Sequence, residues 1–148
     1  MKRDPRLHGL SSDHHDALVL ARRLERAAAA GEVNHALVAD LRGRFEAGLA
    51  PHFAVEEATL LPALRRAGLD ALAARTEGEH AALRAHLEGA ERGDLAAVGA
   101  FAALLAGHVH FEERELFPAC EAHLDPGALD EVERLAPRKS GAAQEGDR

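Results

Sequence analysis

A twelve-residue pattern occurs twice in this chain, and no other feature constrains the fold as strongly. The pattern H-x-x-x-E-E-x-x-L-[L/F]-P-A occupies residues 52–63 and recurs at residues 108–119. Residues four apart lie on one face of an α-helix, one turn from each other. Each copy therefore predicts a helix that directs one imidazole and one carboxylate the same way, and two such helices can face each other.

The composition also favours helices. Hydrophobic residues make up 47% of the 148 residues, so the chain is expected to fold around a core, and its length suits one domain. Alanine and leucine dominate, β-branched residues are few, and tryptophan and tyrosine are absent. Alanine and leucine favour helix, whereas the β-branched and aromatic residues that are scarce here favour sheet.

Start and stop signals divide the chain into four long helices. Gly31, Gly68 and Gly93 each come just after a segment with helical periodicity, as helix-ending glycines do. Short joints place consecutive helices side by side, so the sequence predicts an all-α protein with an up-down-up-down antiparallel four-helix bundle. The predicted helices cover residues 11–30, 34–66, 70–92 and 94–123, followed by a short helix over 128–135.

The ends of the chain are expected to lie outside this bundle. Residues 1–10 are predicted to be an N-terminal arm, residues 11–136 the bundle, and residues 137–148 a disordered tail. Ser11 or Ser12 would cap the first helix, and Asp70 the third. Prolines within the second and fourth helices should bend or end them, but the apolar period continues past the first, so we predict continuous helices.

Charge and cysteine content narrow the classes of partner. The formal net charge of −7 predicts no broad basic surface, which argues against nucleic acid. No apolar run is long enough to span a membrane, and the N-terminus lacks an apolar signal core. Cys120 is the only cysteine, so no disulfide can form within the chain and the protein is expected in a reducing cytoplasm. Cys120 itself is expected to be a small residue of the apolar core.

Several of the ten histidines fall on the apolar stripes of the predicted helices. His80 lies mid-stripe in the third helix, and His108 and Glu112 lie on the stripe of the fourth. In the first helix the apolar spacing favours His14 over His15 as the inward residue. His15 stays an alternative, because the run HDAL that it begins resembles the run HAAL that begins at His80. Inward polar residues are costly unless they are paired or bind a metal.

Together the inward donors predict a metal site. Imidazole and carboxylate suit Fe, Mn or Zn better than Cu(I), and donors from four helices with two bridging carboxylates predict two ions. Two octahedral ions have about twelve coordination positions, of which side chains fill about eight and an oxo or hydroxo bridge about two. The remainder can take O2, peroxide, NO or water. The predicted ligands are His14, His52, Glu56, His80, His108 and Glu112.

At these residues the chain resembles the hemerythrin-like (HHE cation-binding) family. The similarity covers about residues 10–123, where a His on the first helix, H-x-x-x-E on the second, E-H-x-x-L on the third and H-x-x-x-E on the fourth occur in the family's order. The resemblance implies a four-helix bundle that holds a non-haem di-iron centre. It also implies O2 binding or sensing, iron handling, or a response to oxidative or nitrosative stress.

The sequence departs from the oxygen-carrying hemerythrins at two positions. Those proteins have a further histidine one turn before the third-helix ligand, where this chain has Thr76. Their fourth-helix acid lies five residues after the histidine, a position that Glu113 occupies here. The departure argues against a simple reversible O2 carrier. One imidazole fewer implies a more open site, which favours redox chemistry or another ligand.

Three functions stay open. The favoured one is a non-enzymatic di-iron module that binds or senses O2, peroxide or NO, with a separate protein partner for a sensor. The second is a di-iron redox enzyme that consumes peroxide or O2; E-x-x-H sequences ending at His35 and His80 formally match ferritin-like sites, although His35 lies at a helix joint. The third is a metal-free interaction module. Glu57 and Glu113 either pair with arginines or hold ligand geometry, and whether Glu57, Glu77 or Glu113 adds a further ligand stays open.

Overall fold

The computed structural model describes residues 2–138, and all of their regular structure is helical. The all-α prediction is therefore confirmed for this part of the chain. From residue 139 onward, the predicted disordered tail lies outside the described residues. The helices, in chain order, are α1 (His8–Ala30), α2 (35–66), α3 (Asp70–Glu91), α4 (96–123) and α5 (Pro126–Leu135).

The first helix begins earlier than predicted. A short 3₁₀ turn over Pro5–Leu7 leads directly into α1, and the Asp4 carboxylate caps it by accepting a hydrogen bond from the Arg6 backbone N–H. Leu7 and Leu10 are fully buried, so this segment packs on the helices instead of projecting as an irregular arm. The predicted cap at Ser11 or Ser12 is wrong because burial of these leucines extends the helix backwards.

The glycine signals end the helices as predicted. Gly31, Gly68 and Gly93 have φ values of 70°, 82° and 104°, which residues with a Cβ rarely adopt. Asn34 caps α2 by accepting a hydrogen bond from the Leu37 N–H. The cap predicted at Asp70 is wrong, because this residue already lies in the first turn of α3.

Three prolines lie inside α2 and α4 without ending either helix. Each follows a π-helical turn, in which a backbone N–H donates to the carbonyl five residues back instead of four. The wider turn relieves the clash between a proline ring and the preceding turn, so the helices continue as predicted. The π-helical turns are Phe45–Leu49 before Pro51, Glu56–Leu60 before Pro62, and Glu112–Leu116 before Pro118.

Two apolar clusters form the core, one on each side of a buried polar layer. The Phe101 cluster includes Leu20, Leu24, Leu41, Leu83 and Leu105. The Phe117 cluster includes Leu10, Leu60, Leu64, Ala73 and Leu129. The Phe117 cluster comes first along α1 and α3, whereas the Phe101 cluster comes first along α2 and α4.

The short helix α5 covers the Phe117 cluster. Leu129 and Val132 of α5 are buried there, and Pro126 begins the helix directly after the capping Asp125. No helix within residues 2–138 combines the length and apolar character that crossing a membrane requires. Cys120 is fully buried in the same cluster, as expected for a core residue.

Candidate metal centre

The polar layer between the two apolar clusters consists of the six residues predicted as ligands. Helix α1 contributes one of them, α2 two, α3 one and α4 two, and each is at most 6% exposed. The structure brings all six together: His14, His52, Glu56, His80, His108 and Glu112. The neighbouring His15 lies on the exposed face of α1, so only His14 enters this layer.

The six residues form two overlapping groups that share both glutamates. One group adds His14 and His52 to Glu56 and Glu112, and the other adds His80 and His108. Within each group the candidate ligand atoms lie within 4.8 Å of one another. The arrangement offers two imidazoles to each of two neighbouring positions, with both carboxylates placed between them.

Glu112 lies at the centre of the layer and approaches all four imidazoles. Its Oε1 is 2.8 Å from His14 Nε2 and 3.3 Å from His52 Nε2. Its Oε2 is 2.9 Å from His108 Nε2 and 4.0 Å from His80 Nε2. Glu56 has a smaller reach, with oxygens 2.9 Å from His52 Nε2 and 3.0 Å from His80 Nε2.

Several of these buried atoms lack a hydrogen-bond partner, although they lie close to each other. Leaving a polar atom buried and unsatisfied costs roughly 1–3 kcal/mol, and more for a charged group. A cation between them would satisfy imidazole nitrogens and carboxylate oxygens together, so the residues fit a metal. The atoms, among the described residues, are both Glu56 carboxylate oxygens, His80 Nε2, His108 Nε2 and Glu112 Oε2.

Electrostatics within the layer favour charged histidines when no metal is considered. Burial alone would lower the pKa of His14, but hydrogen bonds to Glu112 and Glu113 outweigh it and raise the pKa to about 9. Burial would likewise lower the pKa of His80, but Glu112 and Glu56 outweigh it and raise this pKa to about 9. For Glu112 itself the four imidazoles overcome burial and hold the pKa well below its usual range. Protons therefore compensate the carboxylate charge that a metal would otherwise neutralise.

A second carboxylate approaches the outer nitrogen of each imidazole. The distances from Nδ1 to the nearest carboxylate oxygen lie between 2.6 and 2.9 Å. In all four pairs the carboxylate and the histidine come from different helices. The pairs are Glu113 with His14, Asp13 with His52, Glu57 with His80, and Glu79 with His108.

Sequence reasoning identified two of these outer carboxylates and missed the other two. Glu57 and Glu113 were expected either to pair with arginines or to hold ligand geometry, and each contacts both an arginine and a histidine of the layer. Asp13 and Glu79 directly precede predicted ligands, but each contacts a histidine on the next helix. That contact depends on how the helices are rotated, which the spacing along one helix does not reveal.

The remaining candidates lie away from the layer. Glu77 is exposed and its Oε1 accepts a hydrogen bond from Arg65 at 2.7 Å. Glu32 is exposed in the joint before α2 and His35 is exposed at the start of α2, so no ferritin-like E-x-x-H pair is assembled there. Thr76 is buried, and its hydroxyl donates to the Leu72 carbonyl of its own helix at 2.8 Å.

A cavity of about 10 Å³ adjoins the layer, roughly the space that one water molecule needs. Three imidazoles, those of His14, His52 and His108, form part of its wall. The rest is largely apolar and includes Leu49 and Val109. Only a very small molecule can therefore lie beside these imidazoles in this conformation.

Comparison with known proteins agrees with this arrangement. Residues 6–120 match the family model described as the hemerythrin HHE cation-binding domain. No curated protein and no solved structure matched the chain. The matched region begins just before α1 and contains all six residues of the buried layer as well as their four outer carboxylates. Because the match covers most of the chain, the protein belongs to the hemerythrin HHE cation-binding family.

Proposed function

We propose that this protein holds two iron ions in its polar layer and binds or senses a small ligand such as O2, NO or peroxide, or handles iron. The observation that supports this most directly is the pair of donor groups that share Glu56 and Glu112. Among the described residues, the buried side-chain atoms that lack a hydrogen-bond partner all belong to this layer, and that is the pattern expected of a site built for cations. A metal-free interaction module would have no need of such a layer.

The donor types support iron and leave manganese and zinc as alternatives. Each proposed position has two imidazoles and two shared carboxylates, a mixture of N and O donors without thiolate. Cys120 lies in the apolar Phe117 cluster and is not among the donors. Bound iron would supply an electrophilic, redox-active centre, and the chain would supply the imidazoles, the bridging carboxylates and a nearly dry surrounding.

The adjoining cavity, with space for about one water-sized molecule, supports a very small ligand. Its apolar wall, which includes Leu49, Phe53 and Leu105, would exclude bulk water and larger substrates. Entry from outside is supported by a groove of about 510 Å³ between α1 and α2, which shares Asp13, Ala17 and Leu49 with the cavity wall. These three residues therefore separate the groove from the imidazoles.

We also propose the up-down-up-down antiparallel bundle for the four long helices. The alternating order of the two apolar clusters along α1 to α4 supports it, because each helix would then run from one end of the core to the other. The additional helix α5 would close the end formed by the Phe117 cluster. A cytoplasmic location belongs to the same proposal and is supported by the single buried cysteine.

The decisive experiment is metal loading. Protein stripped with a chelator and reloaded anaerobically with Fe(II) should take up about two iron ions per chain, given the two donor groups. His108→Ala should lower both iron content and melting temperature, because a bound metal stabilises the fold. His110→Ala is the matched control: it changes an exposed histidine two residues away and should alter neither. Unchanged iron in His108→Ala would refute the site.

Optical spectra of the iron-loaded protein would then separate the remaining functions. A reversible change on exposure to O2 or NO supports a binding or sensing module, for which a separate protein partner is proposed. Sustained catalytic loss of peroxide supports the redox enzyme instead. Full helicity without any uptake of Fe, Mn or Zn would favour the interaction module.

A further inference from the structure

Three of the four imidazoles share an outer arrangement that goes beyond their carboxylate partners. In each case an arginine binds the carboxylate that holds the histidine. The same arginine also lies over a phenylalanine ring next to that histidine. These arginines donate hydrogen bonds to the outer carboxylates, and a protonated guanidinium has no acceptor atom that could bind a metal.

The unit around His80 shows the arrangement most clearly. His80 Nδ1 lies 2.6 Å from Glu57 Oε2, and Arg84 Nη1 donates to the same oxygen at 3.1 Å. The Arg84 guanidinium carbon is 5.7 Å from the centroid of the Phe53 ring. That ring stacks on His80, with centroids 3.9 Å apart and planes 16° apart. Each of the four groups, the arginine, the carboxylate, the imidazole and the ring, therefore contacts two of the others.

The unit around His108 has the same composition. His108 Nδ1 lies 2.7 Å from Glu79 Oε1, while Arg75 Nε donates to the other oxygen of Glu79 at 3.0 Å. The Arg75 guanidinium carbon is 4.0 Å from the centroid of the Phe111 ring. Phe111 is tilted against His108, with centroids 6.2 Å apart.

The third unit surrounds His14 and uses the segment before α1. Arg3 Nη2 donates to Glu113 Oε1 at 3.1 Å, and the other oxygen of this carboxylate lies 2.6 Å from His14 Nδ1. The Arg3 guanidinium carbon is 5.4 Å from the centroid of Phe117. The Phe117 ring is nearly parallel to His14, 8° apart, with centroids 5.5 Å apart.

The outer carboxylates also follow a cyclic order around the molecule. Asp13 of α1 reaches α2, Glu57 of α2 reaches α3, and Glu79 of α3 reaches α4. Glu113 of α4 then returns to His14 of α1. Every long helix therefore receives one outer carboxylate and supplies one, so each imidazole is oriented by its neighbouring helix and not by its own.

We propose that the three arginine–carboxylate pairs are positioning devices for the imidazoles: Arg3 with Glu113, Arg84 with Glu57, and Arg75 with Glu79. The carboxylate would keep the proton of a neutral imidazole on Nδ1, which leaves the Nε2 lone pair directed inward. The arginine would hold the carboxylate in that position. This inference rests on the proposed function and identifies residues outside the six donors that tune it.

Partial exposure of the pairs favours positioning over stabilisation. The arginine side chains are 19–48% exposed and the carboxylates 20–32%. Ion pairs with this much solvent access contribute little to folding stability. Carboxylates that hold the outer nitrogen of a metal-binding histidine, in contrast, commonly change metal affinity by about 10- to 100-fold when removed.

The test compares two pairs that both link α2 to α3. Glu57→Gln and Arg84→Gln alter the positioning pair, whereas Glu77→Gln and Arg65→Gln alter an exposed pair that contacts none of the six donors. The probe is Co(II) alone, titrated against a competing chelator. We expect Glu57→Gln to weaken Co(II) binding by about 10- to 100-fold, Arg84→Gln to weaken it less, and the control variants to match the original protein.

A second measurement distinguishes positioning from general loosening. Zn(II) is diamagnetic, so in the Zn(II)-loaded protein proton NMR can follow the His80 Nδ1–H directly. Glu57→Gln should shift this resonance and speed its exchange with water, while Glu77→Gln should leave both unchanged. Equal Co(II) affinities in all four variants, or an unchanged His80 resonance, would overturn the inference alone. An original protein that binds no metal would overturn the proposed function as well.

Discussion

At the scale of single residues, Glu112 makes more contacts with the buried imidazoles than Glu56 does. It is fully buried and approaches four imidazoles, whereas Glu56 approaches two. A buried carboxylate is tolerated only when opposite charges and hydrogen bonds replace its hydration. Without metal, protonated imidazoles can supply those charges, because the pKa of His14 and of His80 is raised to about 9. The two glutamates of the repeated pattern should therefore differ in energetic weight even though their sequence contexts match.

This difference can be measured in the metal-free protein at neutral pH. Glu112→Gln removes the charge that compensates the imidazoles and should lower the free energy of unfolding by about 3–5 kcal/mol. Glu56→Gln should cost less, because fewer imidazoles depend on it. Urea denaturation gives both values. The exposed Glu46→Gln serves as control and should stay within about 0.5 kcal/mol of the original protein. A larger loss for Glu56→Gln would contradict the central role of Glu112.

Residue spacing was sufficient to place the donors but not their outer partners. The stripe along α1 separates His14 from His15, because a rotation of one residue moves a side chain by about 100° around the helix axis. The structure buries the first and exposes the second. The roles of Asp13 and Glu79 were not predicted, because a carboxylate that contacts a histidine on another helix leaves no periodic pattern in its own helix. Whether the six donors bind metal stays a prediction.

At the scale of helices, the ends proved harder to predict than the existence of the helices. Terminating glycines and the Asn34 cap are local signals that act through backbone geometry. The start of α1 depends instead on burial of Leu7 beside α5, a contact distant in sequence. A search for the α-helical period of 3.6 residues also does not predict the π-helical turns, although the prolines that follow them are visible in the sequence.

Gly9 tests how tightly α1 and the end of α5 are packed. A Cβ built at this position would lie 2.1 Å from the Ala136 carbonyl oxygen, too close for any real contact. Gly9→Ala should therefore displace the segment after α5 and destabilise the protein by about 1–3 kcal/mol, as overpacking does. Thermal or urea unfolding measures the loss.

Gly43 provides the matched control for that substitution. It also lies within a helix, but a Cβ there would meet nothing within 4 Å. Gly43→Ala should stabilise the protein by about 0.5–1 kcal/mol through the better helix propensity of alanine. Equal effects at both positions would show that α5 does not pack against α1 as closely as the structure indicates.

At the scale of the whole molecule, the buried layer connects the four long helices through polar contacts. Six donors and four outer carboxylates form one continuous network between the two apolar clusters. Such a network has two ways to balance its charge, with protons on the imidazoles or with metal between them. Binding of metal must therefore be coupled to release of protons.

The sign of this coupling follows from the raised histidine pKa values. With a pKa of about 9, His14 and His80 are protonated in the metal-free protein at pH 7.5 and must each lose a proton before Nε2 can bind a cation. Zn(II) titrations by calorimetry, in two buffers with different ionisation enthalpies, should show release of at least these two protons per chain. Affinity should also rise with pH up to about 9, because fewer protons then compete. Equal heats in both buffers would contradict the exchange of protons for metal, since proton release must appear as buffer ionisation.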